Sequence, residues 1–160
     1  YYGASESQFG WIFGLVASGI ISASQANNLV IKKFTSMQIL RVALLVQLLI
    51  CLLLSIGAKF GWLQLETNIL LLFLVLACQG FIFPNLTSLA LQPFHQGAGA
   101  ASAMMGAIQM AWGAICAALL GMLYDGTPFT MAIIMLLCAS VANILFSLIK
   151  KQKVHRQSPA

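Results

Sequence analysis

Four polar side chains surround a proline inside a strongly apolar stretch of this chain. Gln79 precedes Pro84, and Asn85, Thr87 and Ser88 follow it in FPNLTSLAL. Proline lacks an N–H, and its ring presses on the carbonyl four residues earlier, so a helix running through this stretch is predicted to kink near its middle. Amides and hydroxyls beside such a break can hydrogen-bond the freed carbonyls. In a membrane they are also typical of a substrate path, and the residues alone leave both roles open.

A second polar set follows at helical spacing. Its members recur every three or four residues, which places them on one face of a helix: Ser102, Met105, Gln109, Trp112 and Cys116. An amide, an indole and polarizable sulfur in one stripe favour an amphipathic organic ligand. The alternative is equally open, because Gln109 can bond a neighbouring helix and Trp112 can fill a gap in the core.

Other chemistries find little support in the residue pattern. The four cysteines are widely separated and show no CxxC spacing, which argues against a disulfide framework or a zinc site. His95 and His155 have no carboxylate nearby in sequence, so a catalytic dyad is not indicated. We therefore expect no catalytic residues, no metal and no cofactor, and a protein that is not an enzyme.

The composition indicates which kind of element must position these residues. Of the 160 residues 61% are hydrophobic and 7% are charged, and the mean hydropathy is +0.95. A soluble domain is roughly 45–50% apolar and about 25% charged. The sequence thus predicts an integral membrane protein, and its basic pI of 9.3 reflects two short clusters of cations and not a nucleic-acid surface.

Uncharged runs of about 20 residues, the length that crosses a bilayer as a helix, occur five times. The predicted spans are residues 8–31, 39–58, 68–91, 99–123 and 128–149, followed by a basic tail over residues 150–160. The runs are continuously apolar, unlike the alternating strands of a membrane barrel. The predicted fold class is therefore an all-α integral membrane protein with five transmembrane helices.

The positions of the cations predict the orientation of the chain. Lys32, Lys33 and Arg41 flank the first inter-helix turn and four more cations follow the last span, whereas Lys59 stands alone on the other side. The positive-inside rule then places the tail in the cytoplasm and the N-terminus outside. We expect a multi-pass protein of the inner (plasma) membrane. Because the chain starts outside with Tyr1, we also expect it to be the C-terminal piece of something longer.

The spans differ in composition. The first, third and fourth concentrate glycines and amides, which predicts that they border a shared interior hollow. Small residues recur along the first span (Gly10, Gly14, Ser18, Ser22) and along the fourth (Gly99, Gly106, Gly113, Gly121), where helix packing is the simplest explanation. The second and fifth spans are nearly uniform in aliphatic residues, and we expect them to face lipid.

Several blocks of the chain resemble a known family. FPN, ALQPF, GAGAASA and GAIQMAWGA, preceded by SESQFGWIFGL and SQANNLVIKKFTS, resemble the C-terminal part of a multidrug efflux transporter of the major facilitator superfamily, a drug:proton antiporter of the Bcr/CflA type. The resemblance implies that the five spans correspond to helices eight to twelve of a twelve-helix fold. It further implies that helices eight, ten and eleven line the cavity. In this chain Thr35 follows the basic pair, where the family has a glycine turn.

The resemblance also implies partners and residue roles. It implies that Gln79, Asn85, Gln109 and Trp112 contact small amphipathic or cationic organic substrates, and that Lys32 and Lys33 brace the cytoplasmic face. The other partners are the lipid bilayer and the N-terminal half, which would carry the acid that couples proton flow, so this chain alone should not transport. No nucleic acid is expected. Two alternatives remain open: a membrane enzyme, and a structural or accessory multi-span subunit without transport activity.

Overall fold

The chain forms five α-helices joined by short connections in a computed structural model that describes residues 6–94, 96–124 and 126–156. The helices are α1 (Glu6–Val30), α2 (Ser36–Lys59), α3 (Leu65–Leu91), α4 (Ala98–Leu123) and α5 (Pro128–Arg156). Each contains a stretch long and apolar enough to cross a membrane, and no strand occurs in the described ranges. The predicted all-α fold with five membrane-length helices is confirmed. Predictions that fall on residues 1–5, His95, Asp125 and residues 157–160 lie outside the described residues.

The turn between α1 and α2 is closed by a capping box. Thr35 has an extended backbone, and its hydroxyl accepts a hydrogen bond from the Gln38 N–H at 3.4 Å. In return, the Gln38 side-chain oxygen accepts from the Thr35 N–H at 3.0 Å. Two backbone donors at the start of α2 are thereby satisfied. Thr35 adopts this conformation without strain, because the cap needs no left-handed residue.

A glycine in the left-handed conformation ends α2. Gly61 has φ +67°, and the Trp62 N–H donates to the Gly57 carbonyl at 3.0 Å. This backbone pattern is a Schellman cap, which satisfies the last helical carbonyls and reverses the chain. Leu63, just beyond the cap, packs back against Gly57. The turn thereby directs the chain into α3 alongside α2.

The core of the described chain is built around α2. Two clusters of buried side chains join it to α3 and α5: Leu40, Ala43, Leu44, Ile50, Cys51, Val75, Cys78, Ile82 and Ala139 in one, and Leu54, Leu63 and Ala132 in the other. Half of the apolar window of α2 is buried, a larger share than in any other described helix. Other side chains of α2 are exposed, among them Val42, Leu45 and Leu49, so the expectation that the second span faces lipid stays a prediction. Leucine side chains pack against other helices as readily as they face lipid.

Hydrogen bonds hold α5 against α2. The Asn143 amide donates to the Leu44 carbonyl at 3.0 Å, and the Ser55 hydroxyl lies 3.1 Å from the Ala132 carbonyl. Both donors also reach carbonyls of their own helices, as polar side chains in membrane helices commonly do. The sparse polar groups of the second and fifth spans thus mark an interface between these two helices.

The helices differ strongly in how closely they pack against one another. α1 packs along α3, and α3 packs along α2, so the order across the bundle is α1, α3, α2, α5. α4 touches α5 and α3 at few points, and none of its side chains is buried. The helix richest in small residues is therefore the one with the least cover from the described chain.

Candidate functional site

A buried pair of asparagines joins α1 to α3. The Asn85 amide nitrogen donates to the Asn27 side-chain oxygen at 2.6 Å and to the Phe81 carbonyl at 2.8 Å. Asn85 is 0% exposed and Asn27 is 3% exposed. The remaining oxygen of Asn85, Oδ1, is buried and accepts no hydrogen bond within the described residues. An orphaned buried acceptor costs about 1–3 kcal/mol, so the pair is a highly constrained site.

Two glycines bring the backbones of α1 and α3 close together. A Cβ placed on Gly80 would stand 2.6 Å from the Ile20 carbonyl oxygen and 2.8 Å from the Ala23 Cβ. On the other helix, a Cβ on Gly19 would stand 2.8 Å from the Phe73 carbonyl oxygen. These two glycines let the backbones of α1 and α3 touch, as small residues do in membrane helices.

The small-residue ladder expected along α1 serves a different surface. Gly10 and Gly14 have no atom within 4 Å of their built Cβ positions among the described residues. The hydroxyls of Ser18 and Ser22 bond carbonyls of their own helix. The close contact uses Gly19, which does not belong to the four-residue repeat. The repeat therefore does not explain the contact with α3.

Pro84 lies in the last third of α3, and the helix continues through it. The predicted kink near the middle of the helix stays a prediction. Asn85 hydrogen-bonds the carbonyl of Phe81, next to the Gly80 carbonyl that the proline frees. Gln79 is half-buried, and its side chain makes no hydrogen bond within the described chain. Gln79 is therefore the amide of this region that stays free to bind a ligand.

The stripe on α4 is mostly open. Gln109 is exposed and Trp112 is 60% exposed, while Met105 and Cys116 are half-buried. The half-buried end meets α5, because the Cys116 sulfur lies 3.9 Å from that of Cys138. Cys116 therefore lies against α5, whereas Gln109 and Trp112 on the same stripe contact no described partner.

Lys32 and Lys33 lie exposed in the α1–α2 turn and have no ion-pair partner among the described residues. Two cavities flank this turn. One, of about 640 Å³, lies between the start of α2 and the end of α3, where Thr35, Ser88 and Gln92 line it. The other, a groove of about 440 Å³, runs between the end of α1, α2 and α3. None of the four predicted substrate contacts lines either cavity.

The structure separates these four residues into two pairs. Gln79 and Asn85 belong to α3, and Gln109 and Trp112 belong to α4, a helix with few contacts to α3. The substrate-contacting roles stay predictions, and the position of Asn85 fits holding α1 against α3. Sequence reasoning missed Asn27, Gly19 and Gly80. The available signal was a set of amides on each helix, Gln25, Asn27 and Asn28 on α1 and Asn68, Gln79 and Asn85 on α3, but nothing in the sequence indicates which of them pair.

Comparison with known proteins points in one direction. The chain is 26% identical, over 162 aligned positions, to the uncharacterized MFS-type transporter YdgK of Bacillus subtilis (strain 168). The alignment covers 98% of this chain and 39% of the relative. The likeness supports membership of the major facilitator superfamily. No family model matches the chain, and no solved structure matches it.

The alignment covers far less of the relative than of this chain. The chain spans about two fifths of the length of the curated relative it matches. Together with the five apolar helices, the likeness indicates a multi-pass membrane protein and a transporter more than an enzyme. No group of three His, Cys, Asp or Glu side chains that could hold a metal ion occurs within the ranges described above.

Proposed function

We propose that the intact protein is a secondary active transporter that exports small amphipathic or cationic organic compounds in exchange for protons. In this proposal the chain supplies helices eight to twelve of a twelve-helix protein of the Bcr/CflA type. The remaining helices, with the buried acid that couples proton flow, lie outside the 160 residues. The likeness to an MFS-type transporter over nearly the whole chain supports the coarser function, transport.

The open stripe of α4 is the observation that best supports a substrate site. A glutamine amide is expensive to expose to lipid tails, and neither Gln109 nor Trp112 has a described partner. Glycines on the same helix have nothing within 4 Å of their built Cβ positions, so another element can approach α4 closely. We propose that α4 borders the substrate cavity, with Gln79 of α3 on its wall.

Asn85 takes a different part in this proposal. Its side chain is fully buried and bonded to Asn27, and close glycine packing lies beside it. Two helices tied in this way move as one body when the two halves of a transporter rock. Asn85 then supports transport by keeping α1 and α3 together.

A transport assay tests the proposal directly. Cells expressing the intact protein are loaded with a fluorescent lipophilic cation such as ethidium, and its efflux is followed. We expect efflux that stops when a protonophore collapses the proton gradient. The variants Gln109→Ala and Trp112→Ala are each expected to slow efflux about tenfold, because a lost polar or aromatic contact is worth roughly 1–2 kcal/mol.

Met110→Ala is the matched control on the same helix. Met110 is 80% exposed and lies on a different face from the stripe, so its loss should leave efflux near the wild-type level. All variants are compared at equal amounts of protein in the membrane. If the Gln109 and Trp112 variants export every compound tried at the control rate, the cavity-facing assignment of α4 is wrong.

A structural or accessory role is the second candidate. The observation that favours it is that Gly19, Gly80 and Asn85 all serve helix packing. Such a protein would alter the accumulation of no compound, with or without a proton gradient. The efflux assay thus distinguishes the two functions without any variant.

A further inference from the structure

An apolar groove opens beside the α1–α2 turn. Its walls come from three helices and include Val30, Phe34, Val42, Val46, Ile50 and Leu74, and Gln38 is the one amide among its lining residues. Its volume is about 440 Å³. Val42 and Val46 are themselves exposed, so the groove is open along its side. Its chemistry suits a hydrocarbon chain.

The length of the groove matches one leaflet of a bilayer. The α2 residues that line it extend from Gln38 to Ile50. At about 1.5 Å per residue this stretch is about 18 Å long. Half of a hydrocarbon core of about 30 Å is about 15 Å. Since Gln38 lies close to the start of α2, the groove runs from one membrane surface to about the midplane.

Positive charge stands at the surface end of this groove. Lys32 and Lys33 lie between two wall residues, Val30 and Phe34, in a turn where the N–H groups of Lys33 and Phe34 both bond the Val30 carbonyl. Both lysines are exposed. The sequence contains no aspartate or glutamate between Glu6, at the opposite end of α1, and Glu66, so no acid of α2 or of the turn neutralises them.

We propose that the groove binds an anionic phospholipid from the leaflet that borders the α1–α2 turn. One acyl chain lies along α2 between α1 and α3, and the headgroup phosphate meets Lys32 and Lys33. Basic residues at the membrane surface beside an inter-helix pocket are the chemistry that recognises such headgroups. The positive charge of Lys32 and Lys33 complements an anionic headgroup, and this distinguishes the site from an apolar surface that any lipid would cover.

Native mass spectrometry of the intact protein in detergent tests the site. The protein is titrated with phosphatidylglycerol or with phosphatidylcholine of the same acyl chains, and the bound fractions are compared. We expect the wild type to prefer phosphatidylglycerol. Lys32→Gln and Lys33→Gln are each expected to lower that preference about fivefold, the effect of one charge near an anionic surface. Arg41→Gln removes an exposed cation of α2 that lies outside the α1–α2 turn, and it should leave the preference intact.

A second pair of variants tests the groove itself. Val46→Trp fills it and should reduce the binding of both lipids, whereas Val141→Trp, at an exposed position on α5, should not. Three results overturn the proposal: no headgroup preference in the wild type, an equal loss in the Arg41 variant, or unchanged binding in the Val46 variant. The last result is also expected if another segment of the protein fills the groove. The lysine series stands independently if Val46→Trp fails to fold.

Discussion

At the residue scale, the fully buried side chain of Asn85 combines two hydrogen bonds with one unpaired oxygen. Its amide bonds a side chain of α1 and a carbonyl of its own helix, and its oxygen is buried without a partner in the described chain. Hydrogen bonds between membrane helices contribute about 0.6 kcal/mol on average and up to about 1.7 kcal/mol. A pair buried this completely belongs at the upper end of that range.

We predict that Asn85→Ala and Asn27→Ala each destabilise the intact protein by about 1–3 kcal/mol, because each leaves a buried amide unpaired. The double variant should lose less than the sum of the two, with a coupling energy of about 0.6–1.7 kcal/mol. Unfolding in detergent, followed by the accessibility of buried thiols, measures all three variants.

Asn28→Ala provides the control for this cycle. Asn28 is the next residue on α1 and is exposed, so its loss should change stability by less than about 0.5 kcal/mol. Strict additivity of the Asn27 and Asn85 variants would mean that the pair does not form in the membrane.

At the scale of elements, α1 and α3 are joined by backbone contact and α2 is joined to its neighbours by side-chain packing. The contact between α1 and α3 depends on the missing Cβ atoms of Gly19 and Gly80. The core of α2 depends on fully buried side chains such as Leu40 and Leu54. Two helices in backbone contact cannot slide without a clash, whereas Leu-mediated contacts can repack, which is why we expect α1 and α3 to move together.

We predict that Gly80→Ala destabilises the protein by about 1–3 kcal/mol, since the new methyl group meets the backbone of α1 and cannot be accommodated by a side-chain rotation. Gly14→Ala on α1 is the matched substitution. It has nothing within 4 Å among the described residues, and the gain in helix propensity should make it neutral or stabilising by up to about 1 kcal/mol. Thermal unfolding in detergent compares them. Equal effects would show that the close contact is absent in the intact protein.

At the scale of the whole molecule, four helices form a connected bundle and α4 lies against it with little buried surface. The contact between the thiols of Cys116 and Cys138 joins α4 to α5. A helix attached so weakly takes its final position from lipid or from other parts of the protein. This is the arrangement expected of a cavity wall.

We predict that mild oxidation of the intact protein with copper phenanthroline joins Cys116 to Cys138. The sulfurs are 3.9 Å apart, and side-chain rotation can bring them to the bonding distance of about 2.05 Å. Two thiols should become protected from later maleimide labelling, and Cys116→Ser should abolish this protection. If oxidation protects the same number of thiols in both proteins, α4 does not lie against α5 as described.

The extent to which the sequence predicted this molecule differs between levels of structure. The five helices followed from the length of the apolar runs, because a bilayer forces any such run to satisfy its own backbone hydrogen bonds. The polar stripe of α4 followed from helical periodicity. The sequence did not indicate that α2 carries the core, because uniform hydrophobicity does not distinguish a surface that faces lipid from one that packs against other helices.

The sequence by itself determined that the chain crosses a membrane and where its helices turn, since these properties are sums over neighbouring residues. Only the tertiary structure decided that Asn85 meets Asn27 and that Gly80, not Gly10 or Gly14, carries the close contact with α1. The physical reason is that a pairing depends on the shapes of two surfaces that lie far apart in the chain. No local pattern in either segment records the shape of the other.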